Sequence, residues 1–205
     1  MHASREQGVR HLERHLARLG RSARTLGFVW DEVELREVLQ AAIDCLPPNE
    51  AQRLRLAIDR AGRAELTCRP LTALPAGPVG LRLETVPLPA ARPLAGHKTT
   101  LRTEYDAGVR AAEAEGAFDS LFFTPDGRLV EGGRSNLFLQ LDGRWFTPPL
   151  SDGALPGVMR GLLLEDPAWA ATERTLGRAD LALAQAVVAC SSLRGVLPAQ
   201  VIHGP

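Results

Sequence analysis

Lys98 is the only lysine among the 24 basic residues of this chain, the rest being arginine. A sequence that uses arginine wherever a plain positive charge is wanted needs a chemical reason to keep one lysine. A guanidinium stays protonated and is a poor nucleophile, whereas an amine of lowered pKa condenses with an aldehyde and shuttles protons. Such an amine works with partners: an acid against a ring nitrogen, donors for an anion, and a face for proton transfer. Glu131, in VEGGRSNLF, offers the acid, on a strand beside glycines that would let the backbone approach a flat ligand. In ALPGVMRG, Leu155 precedes Gly157 at a helix start, where the N–H groups of Val158 and Met159 would face an anion. Arg18, in HLARL, could add a bidentate contact. Ser191 and Ser192 end an apolar run and either donate hydroxyls to a ligand or cap a turn. Each residue also has a plainer role: a solvated charge for Lys98, Glu131 and Arg18, and ordinary helix punctuation for Gly157.

The elements that must position these residues are legible in outline. Leu12, Leu16, Leu19, Ala23 and Leu26 recur at helical spacing, which predicts a helix from about 8 to 26, ended near Gly27. Asp31 and Glu34 form a capping box for a second helix that stops before Pro47 and Pro48. Alternation predicts strands over 53–58, 64–71 and 79–86, and Pro87, Pro89 and Pro93 mark a linker. Then come a helix to about Glu115 and a hairpin of 120–124 with 129–141 across Pro125–Asp126–Gly127. A strand over 145–147, helices from Gly157 and Asp180, and a buried strand over 187–191 complete the pattern. The expected organisation is a small α+β lobe over 1–86, an interdomain linker over 87–97, and a larger α+β lobe over 98–205 that carries Lys98. A site between lobes is a natural seat for a small ligand.

Composition excludes several classes. Charged residues make up 23% of the chain with a formal net charge of zero, so neither disorder nor a polyelectrolyte partner is indicated. Twenty-four acidic residues are interleaved with the arginines and no aromatic-basic platform is present, which argues against a nucleic-acid binder. Cys45, Cys68 and Cys190 are scattered singles without metal-ligand or disulfide spacing, as in a reducing cytosol. No apolar run approaches a bilayer span, so a soluble, cytoplasmic protein with no membrane contact is expected.

Five ordered blocks spanning residues 11 to 199 resemble the class IV aminotransferase family, the fold type IV pyridoxal-phosphate enzymes. HLERHLARLGRSARTLGF resembles the first-helix signature, HKTT with Arg102 and Tyr105 the Schiff-base region, and LVEGGRSNLF the acidic strand. TPPLSDGALPGVMR resembles the phosphate-binding turn and SSLRGVLPA the last cofactor segment. The resemblance implies a two-lobed α+β fold, pyridoxal 5'-phosphate as cofactor, and a homodimer. It assigns Lys98 to the cofactor aldehyde, Glu131 to the pyridine nitrogen, and Arg18, Val158, Met159 and Ser192 to the phosphate. It leaves Arg102 to the ring hydroxyl or a substrate carboxylate. HKTT-x-R-x-x-Y-D and S-L-R-G most resemble the aminodeoxychorismate lyase branch. That branch implies conversion of a small amino substrate, 4-amino-4-deoxychorismate, to 4-aminobenzoate and pyruvate in folate synthesis. Two other readings share these residues: an aminotransferase for D-alanine or branched-chain amino acids, and a truncated paralogue without catalysis. Relatives begin with a strand carrying a Glu-Thr pair, and Met1 stands almost at its end, so an N-terminal strand is expected to be missing. An asparagine common in lyases is replaced by Ser191 before the Ser-Leu pair.

Overall fold

The computed structural model describes residues 1–202 and divides the chain into two units, Met1–Pro75 and Ala76–Pro205. The first unit opens with β1 (His2–Ser4) and β2 (Gly8–Val9), an antiparallel pair in register at Ala3 and Val9. Gly8 takes a φ of 66°, which turns Val9 back onto β1. Helix α1 (Leu12–Leu26) therefore starts four residues later than its periodicity suggests. Gly27, at φ 70°, ends it by donating to the carbonyls of Ala23 and Arg24. Helix α2 (Glu32–Asp44) starts at the expected cap, with the Asp31 carboxylate accepting from the Glu34 N–H at 3.0 Å, the first half of the expected capping box. Leu16 of α1 and Leu39 and Ile43 of α2 bury against Ala3, Val9 and Leu54.

Leu54 belongs to β3 (Gln52–Ile58), which pairs with β4 (Ala64–Pro70) to give the sheet order β2-β1-β3-β4. Where a leading strand was expected to be missing, three residues of strand are present. They cover β3 only as far as Leu54, which exchanges backbone bonds of 2.5 and 2.9 Å with Met1. Among the described residues, Arg55 to Ile58 pair with β4 alone.

The second unit holds a sheet of eight strands. In chain order its elements are β5 (Val79–Leu83), α3 (Thr103–Ala114), β6 (Asp119–Phe123), β7 (Leu129–Gly132), β8 (Asn136–Leu141) and β9 (Arg144–Thr147). There follow α4 (Val158–Glu165), β10 (Thr172–Glu173), α5 (Arg178–Leu183), β11 (Ala186–Ser191) and β12 (Gly195–Ile202). The strand order is β10-β9-β8-β11-β12-β5-β6-β7. Strands β7 and β8 stand far apart in that order, yet only Gly133, Arg134 and Ser135 join them. So short a connection requires the sheet to curl back on itself.

Three sequence expectations change here. Strand β5 runs parallel between β6 and β12, so it belongs to the second unit and not to a lobe over 1–86. The proline-rich 87–97 stretch likewise lies inside the second unit: Leu88 donates its N–H to Phe123 and is buried beside Phe122, Val130 and Ala154. Proline and glycine report irregular backbone, not whether that backbone packs. The expected single strand over 129–141 is also two strands, because Asp119 captures the corner between them. Its carboxylate, buried at the start of β6, accepts from Ser135 Oγ at 2.6 Å and from the Arg134 N–H at 3.1 Å. No helix among the described residues is long and apolar enough to cross a membrane.

The glycines at that corner serve packing. A Cβ on Gly133 would stand 2.5 Å from Val109 Cγ2 and 3.2 Å from the Tyr105 carbonyl, both on α3. Gly133→Ala should therefore lower stability by about 1–3 kcal/mol through overpacking. Urea unfolding checks this, and an unchanged midpoint would mean that α3 moves aside freely.

Candidate active site

Glu131 is the fixed point around which the site residues of the second unit gather. It lies on β7, 8% exposed, with α3, β8 and the turn before α4 supplying one donor each. Tyr105 Oη donates to Oε1 at 3.0 Å, Asn136 Nδ2 to Oε2 at 3.1 Å, and the Leu155 N–H to Oε2 at 3.0 Å. Asn136 Nδ2 also reaches the Leu155 carbonyl at 3.1 Å, so it ties the turn to the strand. Burial pushes the Glu131 carboxyl above its ordinary range. The Leu155 and Tyr105 donors and the charges of Lys98 and Arg92 pull it back. Burial also raises the Tyr105 phenol, with the adjacent Glu131 charge adding to the effect.

Lys98 stands exposed in the short run between the proline-rich stretch and α3, and its charge acts on Glu131. Leu155 meets Glu131 directly through its N–H. Gly157 follows two residues later as the N-cap of α4, whose first turn begins with Val158 and Met159 and carries no side-chain cap. A Cβ on Gly157 would overlap Asn136 Oδ1, so glycine is required for the turn to approach β8.

Strand β11 pairs with β8 through Cys190 and Asn136, which brings Ser191 and Ser192 out at the Asn136 end of β8. Ser191 Oγ accepts the Arg194 N–H at 3.2 Å and so caps the turn into β12, the second of its two expected roles. Arg102 is half-buried and already engaged: Nε donates to Asp106 at 2.7 Å and Nη2 to the Gly133 carbonyl. Arg18 lies in the first unit, half-buried on α1.

Sequence patterns assigned no role to four residues that build this site. Asn136 sits inside the VEGGRSNLF block, five residues beyond Glu131. Tyr105 is the only tyrosine, a signal of the same kind that exposed Lys98. Asp119 and Arg92 carried no sequence signal, since each acts through partners distant in the chain. The glycines beside Glu131 also serve packing. They admit the Asp119 carboxylate and α3, because a Cβ on Gly132 would stand 2.5 Å from Ser135 Oγ and overlap Asp119.

The description amino-transferase class IV attaches to a family model that matches residues 1–202. The chain belongs to the class IV aminotransferase family. A protein of Schizosaccharomyces pombe, provisionally named aminodeoxychorismate lyase, is 30% identical over 163 residues, covering 76% of this chain and 68% of that one. A structure from Mesorhizobium loti, provisionally named an amino-acid aminotransferase, is 34% identical with a TM-score of 0.90. The match covers 98% of this chain and 97% of that one, so this class IV chain has a solved counterpart of nearly its own length. A hypothetical aminotransferase from Mycobacterium tuberculosis, in its PLP-bound form, is 25% identical with a TM-score of 0.80, over 93% and 76% of the two chains. The α+β architecture with a curled sheet is thus that of the fold type IV enzymes.

Burial of Glu131 has a consequence for stability. With the folded pKa above the unfolded one, the protonated carboxyl favours folding. That contribution is present below the ordinary value of 4.5 and is lost as pH rises through the raised value. The stability of wild type minus that of Glu131→Gln should therefore fall as pH climbs from about 4 towards neutrality in urea titrations. A difference that rises over this range would mean that the donors outweigh burial.

Proposed function

We propose that the chain is a pyridoxal-phosphate-dependent lyase that converts 4-amino-4-deoxychorismate to 4-aminobenzoate and pyruvate, a step of folate synthesis. The observation that carries the cofactor is the donor set at Glu131. A carboxylate has about four acceptor positions. Among the described residues Oε2 accepts two bonds and Oε1 one, which leaves Oε1 able to accept a ring N–H. A buried acceptor of this kind, with the charge of Lys98 close enough to act on it, fits pyridoxal phosphate. The PLP-bound state of the Mycobacterium tuberculosis relative is consistent with this reading.

Pyridoxal phosphate, when bound, supplies an aldehyde for an amine and a ring that takes up an electron pair. Every other part falls to residues of this chain. Lys98 Nζ would hold the aldehyde and, once displaced by the substrate amine, take the proton from the carbon bearing nitrogen. Its exposure gives a small substrate access. Glu131 would hold the proton on the ring nitrogen. The Val158 and Met159 N–H groups, with the α4 dipole, would take the phosphate, supported by Ser191 and Ser192. Gly157 and Leu155 shape that turn, and Arg102 keeps N–H groups beyond its two bonds for a ring hydroxyl or a substrate carboxylate.

The lyase assignment rests on the HKTT-x-R-x-x-Y-D pattern and on the Schizosaccharomyces pombe relative. Aromatisation of the product makes the elimination downhill. A second reading, an aminotransferase acting on D-alanine or branched-chain amino acids, draws on the Mesorhizobium loti structure. We infer a cytoplasmic homodimer in either case; the three cysteines are free, as in a reducing compartment.

Borohydride reduction of protein supplied with the cofactor, followed by peptide mass analysis, should place the adduct on Lys98. No adduct there would sink the cofactor reading. Release of 4-aminobenzoate identifies the lyase, whereas conversion of the cofactor to its amine form by an amino acid identifies the aminotransferase.

Glu131→Gln should retain the adduct while turnover falls on the order of 10²–10³-fold, since an amide cannot hold a ring proton as a carboxylate does. Near wild-type turnover in this variant would mean that another residue holds the ring.

A further inference from the structure

Arg92, in the proline-rich stretch before Lys98, has no part in the chemistry so far described. We propose that it is a positioning residue: its guanidinium fixes the direction of the Tyr105 hydroxyl and the turn that carries Leu155, so that both donors meet Glu131. The inference rests on the reading of Glu131 as the acceptor for the cofactor ring.

The hydrogen-bond directions follow from what each group can do. Arg92 Nη1 lies 3.2 Å from Tyr105 Oη, and a guanidinium only donates. The phenol oxygen must accept from it, which leaves the phenol proton for Glu131 Oε1 at 3.0 Å. Phe122 holds the ring from the side, with centroids 4.7 Å apart. The hydroxyl thus has one orientation that satisfies both neighbours.

The same guanidinium organises the turn before α4. Nη2 donates to the Asp152 carbonyl at 3.0 Å and Nη1 also reaches the Gly153 carbonyl at 3.5 Å. Gly153 takes a φ of 94°, and a Cβ there would overlap the Arg92 guanidinium. The backbone is therefore wrapped around the arginine, and two residues further on the Leu155 N–H meets Glu131 Oε2.

Arg92 is held by carbonyls and not by a carboxylate. The nearby Asp152 side chain is occupied by Arg128 at 2.6 Å and by Thr175 Oγ1 at 3.0 Å. The charge of Arg92 thus stays directed at Tyr105 and Glu131. The other charges facing these two groups are Lys98 on Glu131 and Arg102 on Tyr105, and Arg102 is itself paired with Asp106. Lys98 changes its charge in the proposed chemistry, whereas an arginine does not. Arg92 is the standing cation that favours an ionised Glu131 throughout.

Tyr105 is the only tyrosine, so protein labelled with 13Cζ-tyrosine gives one resonance from this site. In the full chain without cofactor, that line should move with pH as Glu131 takes up its proton, a step absent from E131Q. Arg92→Gln should shift the step to higher pH, and Arg92→Lys, which keeps charge but loses the fork, should return it towards wild type. With cofactor present, Arg92→Gln should lower turnover by up to about 10²-fold, the scale of a small misplacement. A step at the same pH in wild type and Arg92→Gln overturns the inference. If Arg92→Gln does not fold, Arg92→Lys decides: a displaced Tyr105 line at neutral pH supports the positioning role, and a line superimposed on wild type overturns it. Wild-type protein that takes up no pyridoxal phosphate sinks the cofactor reading alone, while the cofactor-free titration still decides the role of Arg92.

Discussion

A buried carboxylate that must be satisfied organises the second unit. Removing Glu131 from water costs several kcal/mol unless donors replace the lost hydration. One β-strand cannot supply them, since its own N–H groups serve the sheet. The donors come instead from α3, from β8 and from the backbone before α4. Each of these segments is thereby placed relative to β7 to within hydrogen-bonding tolerance. The phenol of Tyr105 adds ring packing on Phe122, and the amide of Asn136 adds a second bond to the Leu155 carbonyl. Satisfying one charge assembles three segments that lie far apart in the chain.

A second buried carboxylate does the same for the corner beside it. Asp119 is fully buried, and burial pushes its carboxyl upward while the Ser135, Arg134 and Ser120 donors pull it down. The Arg134 and Ser135 donors lie on the residues that link β7 to β8, so Asp119 decides where the chain leaves one strand and enters the other. The curl of the sheet depends on that corner, because β7 and β8 occupy distant places in the strand order. Glu131 is the next-to-last residue of its strand, just before the corner, and Asn136 begins the next strand just after it. Both therefore inherit their positions from Asp119. This explains why two adjacent glycines are needed: any side chain at Gly132 or Gly133 would compete with Asp119, Ser135 or α3 for the same space.

Local structure was readable from the sequence wherever its cause was local. The periodicity of Leu12 to Leu26 and the Asp31 cap each depend on residues within a few positions, and each helix stands where expected, apart from the start of α1. Lys98 and Glu131 stood out because the chemistry expected of them constrains residue type, and the charge of Lys98 does act on Glu131. Strand β5 was misassigned because its parallel partners begin at Asp119 and Ala199, and no pattern inside 79–83 carries that information. Arg92 was invisible for a similar reason. Among 23 arginines, nothing local separates one that holds two carbonyls and a phenol from one that is solvated. Tyr105 could have been found by counting, since a single tyrosine in 205 residues raises the same question as a single lysine.

The uneven use of lysine and arginine then takes on a physical meaning. A site that moves protons needs one amine whose charge can change, placed where small molecules arrive, and Lys98 is exposed. The chemistry proposed above equally needs charges that do not change, so that Glu131 would not be disturbed each time the amine gained or lost a proton. Arg92 meets that need because a guanidinium keeps its proton even when half-buried and spreads its donors over several fixed acceptors. Had a lysine stood at position 92, one ammonium could not have spread fixed donors over the phenol and the two carbonyls as the guanidinium fork does. Had an arginine stood at position 98, there would be no nucleophile. The two cations acting on Glu131 are therefore not interchangeable, and the chemistry of each accounts for its residue type.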